Sequence, residues 1–454
     1  MKNDLLPLLT KYDVPVPRYT SYPTVPYWDK DSFTLEQWKQ NVTNTFVNDQ
    51  GEMCIYIHLP FCEELCTFCA CNKRITKNHA VEEPYLEALL KEWNMYLALF
   101  PFQPVIKEIH FGGGTPTFFS PENLTKLVSG LLKDCFVAKN HEFSVEVHPN
   151  YTSTEHIRTL RSLGFNRISL GVQDFNPDVQ YIINRIQTFE QTKKVIDEAR
   201  ELGFESVNVD LIYGLPKQTL ESIEHTIKRI KELLPDRIAF YSYAHVPWKS
   251  KAQRRYTDED VPKAELKIAM YELGNAMLSE IGFKSIGMDH FALLNDKLFK
   301  VYECGTLHRN FMGYTTNNSK LLVGLGASSI GDCWSAFAQN EKEVETYQDM
   351  IMRGEWAITG GHILDNNDLT IRQYILDLMC RGKATIDQQH LGEKRFNEVF
   401  SNWKKFEEDG LISINGNEIQ VLENGKLFIR NISAVIDSHL AKRMGEKKEF
   451  SKSI

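Results

Sequence analysis

Short apolar runs alternate with longer segments of helical periodicity between about residues 50 and 290. The apolar runs predict strands at 53–59, 106–111, 142–147, 166–171, 206–212 and 237–243. The segments that follow them predict helices at about 82–99, 121–134, 153–163, 188–202, 219–233 and 261–281. Because parallel strands need crossover helices, six such βα units predict an α/β fold with a parallel sheet. The sheet would form a closed or partial barrel, and a doubly wound open sheet is the alternative.

The pattern changes after residue 365. Two helical segments, 371–380 and 396–408, precede short alternating strands that turn at Asn415-Gly416, a dipeptide typical of tight hairpins. This order predicts a small, mostly helical, winged-helix-like domain over residues 365–454. Residues 361–454 carry 14 Lys or Arg and 14 Asp or Glu. A DNA-binding wing is normally basic, so we favour a lid or docking domain and expect no nucleic-acid partner.

The composition is that of an ordinary globular protein, with 42% apolar and 25% charged residues among 454. The net charge of −8 does not indicate binding to nucleic acid or anionic membranes. We find no run of about 18 apolar residues, and the first residues are too interrupted for a signal peptide. These features predict a cytoplasmic protein without a membrane span.

Four of the nine cysteines lie within ten residues, directly after the first predicted strand. Cys62, Cys66 and Cys69 have the spacing C-x3-C-x2-C, and Cys71 follows. Three thiolates in one loop suit a [4Fe–4S] cluster that keeps one iron open for a small molecule. Structural zinc usually takes four ligands as two separated pairs. We therefore favour the cluster over zinc or unliganded thiols, and expect Cys71 to be a neighbour of the cluster.

Residues that are unusual in a packed core follow the carboxyl ends of all six predicted strands. In parallel α/β folds these ends meet where active sites lie. The residues are the cysteine loop, Gly112-Gly113-Gly114-Thr115, Glu146 with His148, Gln173, Asp210 and Tyr243-Ala244-His245. Any one of them could be structural, since a triple glycine makes tight turns and a lone carboxylate often caps a helix. Six in register predict a single site, which would suit a polar, zwitterionic ligand.

Longer motifs around these residues resemble the radical S-adenosylmethionine superfamily. The resemblance rests on the cysteine spacing, the preceding Tyr56-Ile57-His58-Leu59-Pro60-Phe61 and the Gly-Gly-Gly-Thr-Pro-Thr one βα unit later. Over nearly its whole length the chain also resembles the oxygen-independent coproporphyrinogen III oxidase family (coproporphyrinogen dehydrogenases). The segments that carry this narrower resemblance are 17–24, 164–167, 171–176, 210–219, 243–245, 287–292 and 308–311.

The resemblance implies a partial (β/α)6 radical-SAM barrel in which Cys62, Cys66 and Cys69 hold a [4Fe–4S] cluster. The open iron would bind S-adenosylmethionine, and family members are similar in holding two such molecules. The implied contacts to S-adenosylmethionine are Tyr56, Phe68, Gly113, Gly114, Thr115, Glu146, Gln173, Arg185, Asp210, Ala244 and Ile330. We group Tyr56 with the three cysteines as a catalytic residue. We expect it to contact the cofactor rather than to transfer protons.

The implied reaction is an oxidative decarboxylation by a 5′-deoxyadenosyl radical mechanism. It converts two propionate side chains of coproporphyrinogen III to vinyl groups, which gives protoporphyrinogen IX in haem biosynthesis. Besides this small-molecule substrate, we expect an unidentified electron donor as a partner and a monomeric chain. Arg18 and Arg309 are candidates to bind substrate carboxylates. The alternatives are a haem-binding chaperone of the same superfamily and a zinc-stabilised winged-helix regulator.

The resemblance also suggests how the chain is divided. Residues 1–50 would help to cover the substrate, 51–290 would form the barrel, 291–364 would connect or complete it, and 365–454 would form the carboxy-terminal domain. The chain departs from better-known members at three positions. Ile186 and Met312 replace polar residues, and His148 replaces an aspartate. The pocket of the second S-adenosylmethionine is therefore the part of the site that the motifs define least.

Overall fold

The computed structural model describes residues 6–248 and 250–442, and the chain forms two compact units. The first, which we call the sheet unit, comprises Lys30–Phe283 and Ser319–Ile363. The second, the terminal unit, takes in Met1–Asp29, Lys284–Asn318 and Leu364–Ile454, as far as these are described. None of the described helices is long and apolar enough to cross a membrane. The division into four parts at residues 50, 290 and 364 stays a prediction.

The strands of the described chain are short except in the parallel core. In chain order they are β1 (Glu52–Leu59), β2 (Phe61–Cys62), β3 (Arg74–Ile75), β4 (Val105–Gly113), β5 (Phe136–Val147), β6 (Arg167–Gln173), β7 (Ser206–Tyr213), β8 (Arg237–Ser242), β9 (Lys284–Gly287), β10 (His290–Ala292), β11 (His308–Asn310), β12 (Gly313–Thr315), β13 (Leu322–Leu325), β14 (Ile330–Asp332), β15 (Ala336–Asn340), β16 (Ile358–Ile363), β17 (Lys383–Thr385), β18 (Ile412–Asn415) and β19 (Glu418–Val421).

Helices follow most of these strands. In chain order they are α1 (Leu6–Tyr12), α2 (Leu35–Asn48), α3 (Glu82–Leu97), α4 (Pro121–Leu132), α5 (Thr154–Ser162), α6 (Pro177–Ile182), α7 (Phe189–Glu201), α8 (Leu220–Leu233), α9 (Ala264–Ile281), α10 (Lys297–Glu303), α11 (Val344–Met352), α12 (Asn366–Arg381), α13 (Gln388–Leu391), α14 (Glu393–Glu408), α15 (Ile429–Ala434) and α16 (Ser438–Lys442). Short 3-10 helices lie at Val25–Tyr27, His79–Val81, Pro116–Phe118, Pro149–Tyr151, Lys251–Arg255 and Glu423–Phe428.

The sheet unit is built on one open sheet with the order β16-β15-β14-β13-β1-β4-β5-β6-β7-β8. From β13 to β8 every neighbouring pair is parallel, and β13 to β16 are antiparallel to one another. The predicted α/β class and the six adjacent βα strands are confirmed. Among the described residues of this unit the sheet does not close, so the partial barrel describes it better than a closed one.

Side chains on the two faces of the parallel strands differ in polarity. On β5, Phe143, Val145 and Val147 are at most 5% exposed and form one apolar face. The alternate residues, Ser144 and Glu146, are polar. Because side chains alternate across a strand, the same division continues on its neighbours. One face of the sheet therefore belongs to the core, and the other lines a polar interior.

Local signals set the bounds of the helices that follow these strands. The Ser120 hydroxyl accepts from the backbone NH of Asn123 at 3.2 Å, and Pro121 occupies the first helical position of α4. Glycine in a left-handed conformation follows α5, at Gly164 with φ 94°. Because the strands that these helices connect are parallel, their carboxyl ends lie at one edge of the sheet.

The terminal unit contains the predicted carboxy-terminal helices and hairpin. Strands β18 and β19 pair antiparallel from Asn415 opposite Glu418, with Gly416 at φ 62° in the turn. With β17 they form a three-stranded sheet in the order β17-β19-β18, next to α12 and α14 in sequence. The predicted helical, hairpin-bearing end of the chain is thus confirmed.

Candidate active site

A cavity of about 300 Å³ lies in the sheet unit, at the carboxyl ends of the parallel strands. Eleven of the residues predicted to form the site line it together: Cys62, Cys66, Phe68, Cys69, Gly113, Gly114, Thr115, Glu146, Gln173, Arg185 and Asp210. They come from the loop after β1 and from the ends of four further strands or the loops beyond them. The expectation that separate strand ends build one site therefore agrees with the geometry.

The cysteine loop is held by hydrogen bonds to the segment after α6. The backbone NH of Thr67 donates to the carbonyl of Ile183 at 2.9 Å, and the side-chain amide of Asn184 donates to the carbonyl of Leu65 at 2.9 Å. The Lys73 ammonium bonds two carbonyls of the loop, those of Cys69 at 3.1 Å and Cys71 at 3.2 Å. These contacts fix the loop that carries the three thiols.

Each of the three thiols has a polar neighbour. The Thr115 hydroxyl lies 3.5 Å from the sulfur of Cys62, whose pKa burial raises to about 11. Arg185 Nη1 lies 3.5 Å from the sulfur of Cys66. A hydrogen bond from the Cys71 thiol lowers the pKa of Cys69. Cys71 thus serves as a donor to Cys69, which agrees with its expected place beside the three ligands.

The donor set fits an iron–sulfur cluster. Three soft sulfurs line one cavity, two of them with hydrogen-bond donors from elsewhere in the fold, the arrangement that tunes such clusters. With three protein ligands, one iron of a [4Fe–4S] cluster is left for a ligand in the cavity. Cys62, Cys66 and Cys69 would hold the cluster, and the rest of the lining would face that ligand.

The glycines after β4 bring the backbone against the cysteine loop. A Cβ at Gly114 would lie 2.6 Å from the carbonyl carbon of Pro60, and Gly113 has φ 113°. The NH of Thr115 donates to the carbonyl of Phe61 at 2.9 Å. No side chain fits between these two segments, so the glycines make the tight turn and also leave their backbone open to the cavity.

Two carboxylates in the cavity are ionised to different degrees. Burial opposes ionisation of Glu146, but hydrogen bonds from His110 and the Gly113 NH hold its pKa below the usual range. Burial and the charge of Glu146 raise the pKa of Asp210 to about 6. Neither carboxylate caps a helix. The environment therefore pushes the two pKa values apart, as active sites commonly do.

Gln173 and Arg185 converge on Gly171, inside the end of β6. Arg185 Nε donates to the Gly171 carbonyl at 3.0 Å. A Cβ at Gly171 would lie 2.7 Å from Arg185 Nη2 and 2.9 Å from Gln173 Nε2. His148 lines the same cavity, and burial together with the Arg185 charge lowers its pKa far below the usual range. His148 therefore adds a neutral ring to the site where relatives were expected to have a carboxylate.

Three predicted site residues are not among the described lining of the cavity. The Tyr56 hydroxyl donates to His58 Nδ1 at 3.0 Å, and His58 Nε2 donates to the Asn72 carbonyl at 2.9 Å. The carbonyl of Ala244 accepts from Gln253 Nε2 at 3.3 Å, an amide that also lies 3.4 Å from the Phe68 carbonyl. Ile330 begins β14, with its carbonyl against Gly324, the partner of Tyr56 in the sheet.

The sequence reasoning missed several polar residues that face the cavity or support it. The residues are Lys73, His110, Ser169, Asn208 and Tyr241. Asn208 Nδ2 donates to Asp210 Oδ1 at 2.8 Å, and Ser169 lies two residues before Gly171. For His110, Ser169, Asn208 and Tyr241 the signal that could have found them is polarity at every second position of otherwise apolar strands, since these positions share the face that ends in the predicted residues.

The remaining predicted positions lie elsewhere. Ile186 is 62% exposed, and its carbonyl accepts from Asn150. Met312 belongs to the terminal unit. There Arg309 is 5% exposed and donates to the carbonyls of Arg18 and Tyr19, both at 3.3 Å, and Arg18 pairs with Asp289. These arginine contacts stabilise the amino-terminal segment, and binding of substrate carboxylates by them stays a prediction.

Comparison with known proteins shows the family of the chain. The profile of the Radical SAM superfamily matches residues 56–230. The oxygen-independent coproporphyrinogen III oxidase of Escherichia coli is 38% identical over 456 residues, covering 99% of this chain and 98% of its own. The Pseudomonas aeruginosa protein of the same name is 37% identical over 440 residues, 95% of each chain. The solved structure described as "Coproporphyrinogen III oxidase (HemN) from Escherichia coli is a Radical SAM enzyme" has a TM-score of 0.89 and 38% identity, covering 93% of this chain and 98% of its own.

The open parallel sheet and the three-cysteine loop at its carboxyl edge define a radical SAM protein, as the profile match indicates. Within this class, the relatives that match nearly the whole chain at well over 30% identity define its family. The chain belongs to the oxygen-independent coproporphyrinogen III oxidase family, whose members are radical SAM oxidoreductases. The haem-chaperone and zinc-regulator alternatives find no support among these relatives.

Proposed function

We propose that the chain catalyses the oxygen-independent oxidative decarboxylation of two propionate side chains of coproporphyrinogen III, giving protoporphyrinogen IX. One observation carries this proposal: three thiols and the polar ends of four further strands line the same cavity. Relatives that match nearly the whole chain are named oxygen-independent coproporphyrinogen III oxidases. When bound, a [4Fe–4S] cluster and S-adenosylmethionine supply the one-electron chemistry that removes a hydrogen atom from an unactivated carbon.

The protein's own residues hold and orient these groups. Cys62, Cys66 and Cys69 are the cluster ligands, and the donors from Thr115 and Arg185 stabilise negative charge on two of the sulfurs. Lys73 holds the loop by bonding its backbone. The loop is therefore held by the protein's own hydrogen bonds, and such bonds reduce the cost of ordering a loop on binding.

The carboxylates suit a cationic, hydroxyl-bearing ligand. S-adenosylmethionine carries a sulfonium and an ammonium group, and its ribose offers two hydroxyl donors. Glu146, held ionised, can accept from the ammonium or from a ribose hydroxyl and attracts the sulfonium by charge, and Asp210 adds a second negative charge above its pKa of about 6. The backbone of Gly113 and Gly114 lies open between them and the thiols. These groups fix the orientation of the ligand and need not exchange protons with it.

A second S-adenosylmethionine in the site is also part of the proposal. It is supported by the spread of the predicted contacts to S-adenosylmethionine, because eight of the eleven line the cavity whereas Tyr56, Ala244 and Ile330 lie outside its described lining. One ligand in a cavity of about 300 Å³ leaves those three positions unexplained. We further propose that the chain acts as a monomer in the cytoplasm and takes electrons from an external donor.

The test is an anaerobic assay of the iron-reconstituted chain with reductant, S-adenosylmethionine and coproporphyrinogen III. We expect 5′-deoxyadenosine and divinyl product in wild type, and neither in Cys62→Ser, Cys66→Ser or Cys69→Ser. Cys304→Ser is the matched control, because Cys304 is an exposed thiol of the terminal unit and should leave turnover unchanged. Wild type that takes up iron and forms neither compound would refute the proposed activity.

A further inference from the structure

A continuous row of polar side chains crosses the interior face of the sheet below Glu146. It begins at Glu142, which pairs with Arg167 at 2.9 Å and with Arg237 at 3.5 Å. Arg167 Nη2 also donates to the hydroxyl of Ser144 at 3.1 Å. The three ionic side chains are at most 16% exposed. The row therefore starts from a buried cluster of ion pairs. Removing one charged partner from such a cluster strongly destabilises a fold.

The row continues from Ser144 to His110 and then to the cavity. His110 lies opposite Ser144 in the β4–β5 register, and Ser144 lies opposite Arg167 in the β5–β6 register. The Ser144 hydroxyl is 2.6 Å from His110 Nδ1, and His110 Nε2 is 3.3 Å from Glu146 Oε1. The strand register thus sets the order of the row, since neighbours across parallel strands share a face.

The donors and acceptors along the row indicate which group donates to which. Arg167 can only donate, so Ser144 Oγ accepts from it and has one proton left to give. That proton can go to the Ile109 carbonyl at 3.5 Å or to His110 Nδ1 at 2.6 Å, and the shorter contact is the stronger bond. In this arrangement Nδ1 of His110 accepts from Ser144, and Nε2 donates to Glu146, which as a carboxylate can only accept.

We propose that His110 is a positioning residue for the proposed reaction: oriented by Ser144 and Arg167, it donates to Glu146 and holds that carboxylate directed toward S-adenosylmethionine. The inference rests on the proposed function, because Glu146 matters here as a contact to that ligand. The His110 ring also stacks on Tyr56, with ring centroids 5.9 Å apart and an angle of 17° between the planes. The same imidazole thus supports two predicted contacts, one through a hydrogen bond and one through its face.

The experiment compares His110→Phe with His110→Gln. Phenylalanine keeps a flat ring beside Tyr56 but donates nothing, so Glu146 loses its donor. Glutamine can accept from Ser144 and donate to Glu146, and it should restore binding. We expect His110→Phe to weaken S-adenosylmethionine binding roughly 10- to 100-fold, since a hydrogen bond to a charged group is lost. Equilibrium dialysis of the reconstituted chain measures this without turnover, and thermal melting confirms that each variant is folded.

A double-mutant cycle with Glu146→Gln separates positioning from a general structural role. If His110 acts through Glu146, His110→Phe should change the dissociation constant less than about twofold in the Glu146→Gln background. A full additive loss in that background, or equal losses for His110→Phe and His110→Gln, would overturn the inference. Should His110→Phe fail to fold, Ser144→Ala carries the same cycle. Wild type that binds no S-adenosylmethionine would instead refute the proposed function.

Discussion

Arg185 connects the cysteine loop to the end of strand β6: its Nη1 lies 3.5 Å from the sulfur of Cys66, and its Nε and Nη2 donate to the carbonyl of Gly171 at 3.0 and 2.5 Å. One guanidinium therefore meets a proposed cluster ligand and the strand that ends at Gln173. Only a side chain with a rigid fork of donors can make both contacts at once.

Removing this charge should make the cluster harder to reduce. In Arg185→Met, the electron that enters the cluster no longer has a cation beside Cys66, so we expect the reduction potential to fall by on the order of 50 mV. Iron content should stay unchanged, because the three thiols remain. A redox titration followed by electron paramagnetic resonance measures the shift. Arg185→Lys is the control and should recover part of it, and an unchanged potential in Arg185→Met would contradict the assignment.

Loss of single cysteines should separate ligands from neighbours. We expect Cys62→Ser, Cys66→Ser and Cys69→Ser to lose most iron and sulfide after reconstitution, because a two-thiol site binds the cluster weakly. Cys71→Ser should retain them, since the Cys71 thiol is a donor to Cys69 and serine can also donate. Iron and sulfide analysis decides the outcome, and loss of iron in Cys71→Ser would make Cys71 a fourth ligand.

The parts of the fold that the sequence predicts are those with local causes. Each parallel strand carries a short run of continuous or alternating apolar residues, and residues such as Ser120, Gly164 and the Asn415-Gly416 pair mark helix starts, helix ends and a hairpin within a few positions. Predicted strand positions differ from the observed ones mainly at β5, which begins at Phe136. Its first half, with Phe136 59% exposed, has no apolar pattern to detect.

The parts that the sequence does not predict depend on contacts between distant segments. His110, Ser144 and Arg167 form a row because three strands pair in a particular register, and no local pattern specifies that register. Likewise the sequence makes Arg309 a candidate to bind substrate carboxylates but does not show that in the fold it donates to backbone carbonyls about 290 positions earlier in the chain. An isolated arginine in a sequence has no feature that distinguishes these roles.

Binding of S-adenosylmethionine should depend on pH through Asp210. Its pKa is raised to about 6 by burial and by the charge of Glu146, so the carboxyl is largely neutral at pH 5 and ionised at pH 7. Glu146 stays ionised and His148 stays neutral across this range. We therefore expect affinity for the cationic ligand to rise from pH 5 to 7 and then level off. Equilibrium dialysis at each pH should show this rise in affinity in wild type and a flat, weaker affinity profile in Asp210→Asn. If the rise persists in Asp210→Asn, a group other than Asp210 causes it.

A second buried carboxyl, Glu92 on α3, should make the stability of the fold depend on pH. It accepts from Tyr347 Oη at 2.6 Å, Asn340 Nδ2 at 2.6 Å and the Gly326 NH at 2.9 Å, next to the β13–β14 connection that precedes Ile330. Burial nevertheless raises its pKa to about 7 in the folded chain. Because the folded pKa exceeds the unfolded one, the contribution of Glu92 to stability is full below about pH 4.5 and is lost as the pH rises through about 7.

Glu92→Gln isolates this contribution, because the amide cannot titrate. The variant should be less stable than wild type at pH 5, by about 1 to 3 kcal/mol, since its NH₂ group faces donors. The difference should narrow toward pH 8, where wild type bears the cost of a buried charge. Urea unfolding of both chains at pH 5, 6, 7 and 8 measures the difference at each pH, and effects of groups common to both chains cancel. A difference that is constant from pH 5 to 8 would show that Glu92 keeps one ionisation state throughout, so that the bonds from Tyr347, Asn340 and Gly326 outweigh its burial.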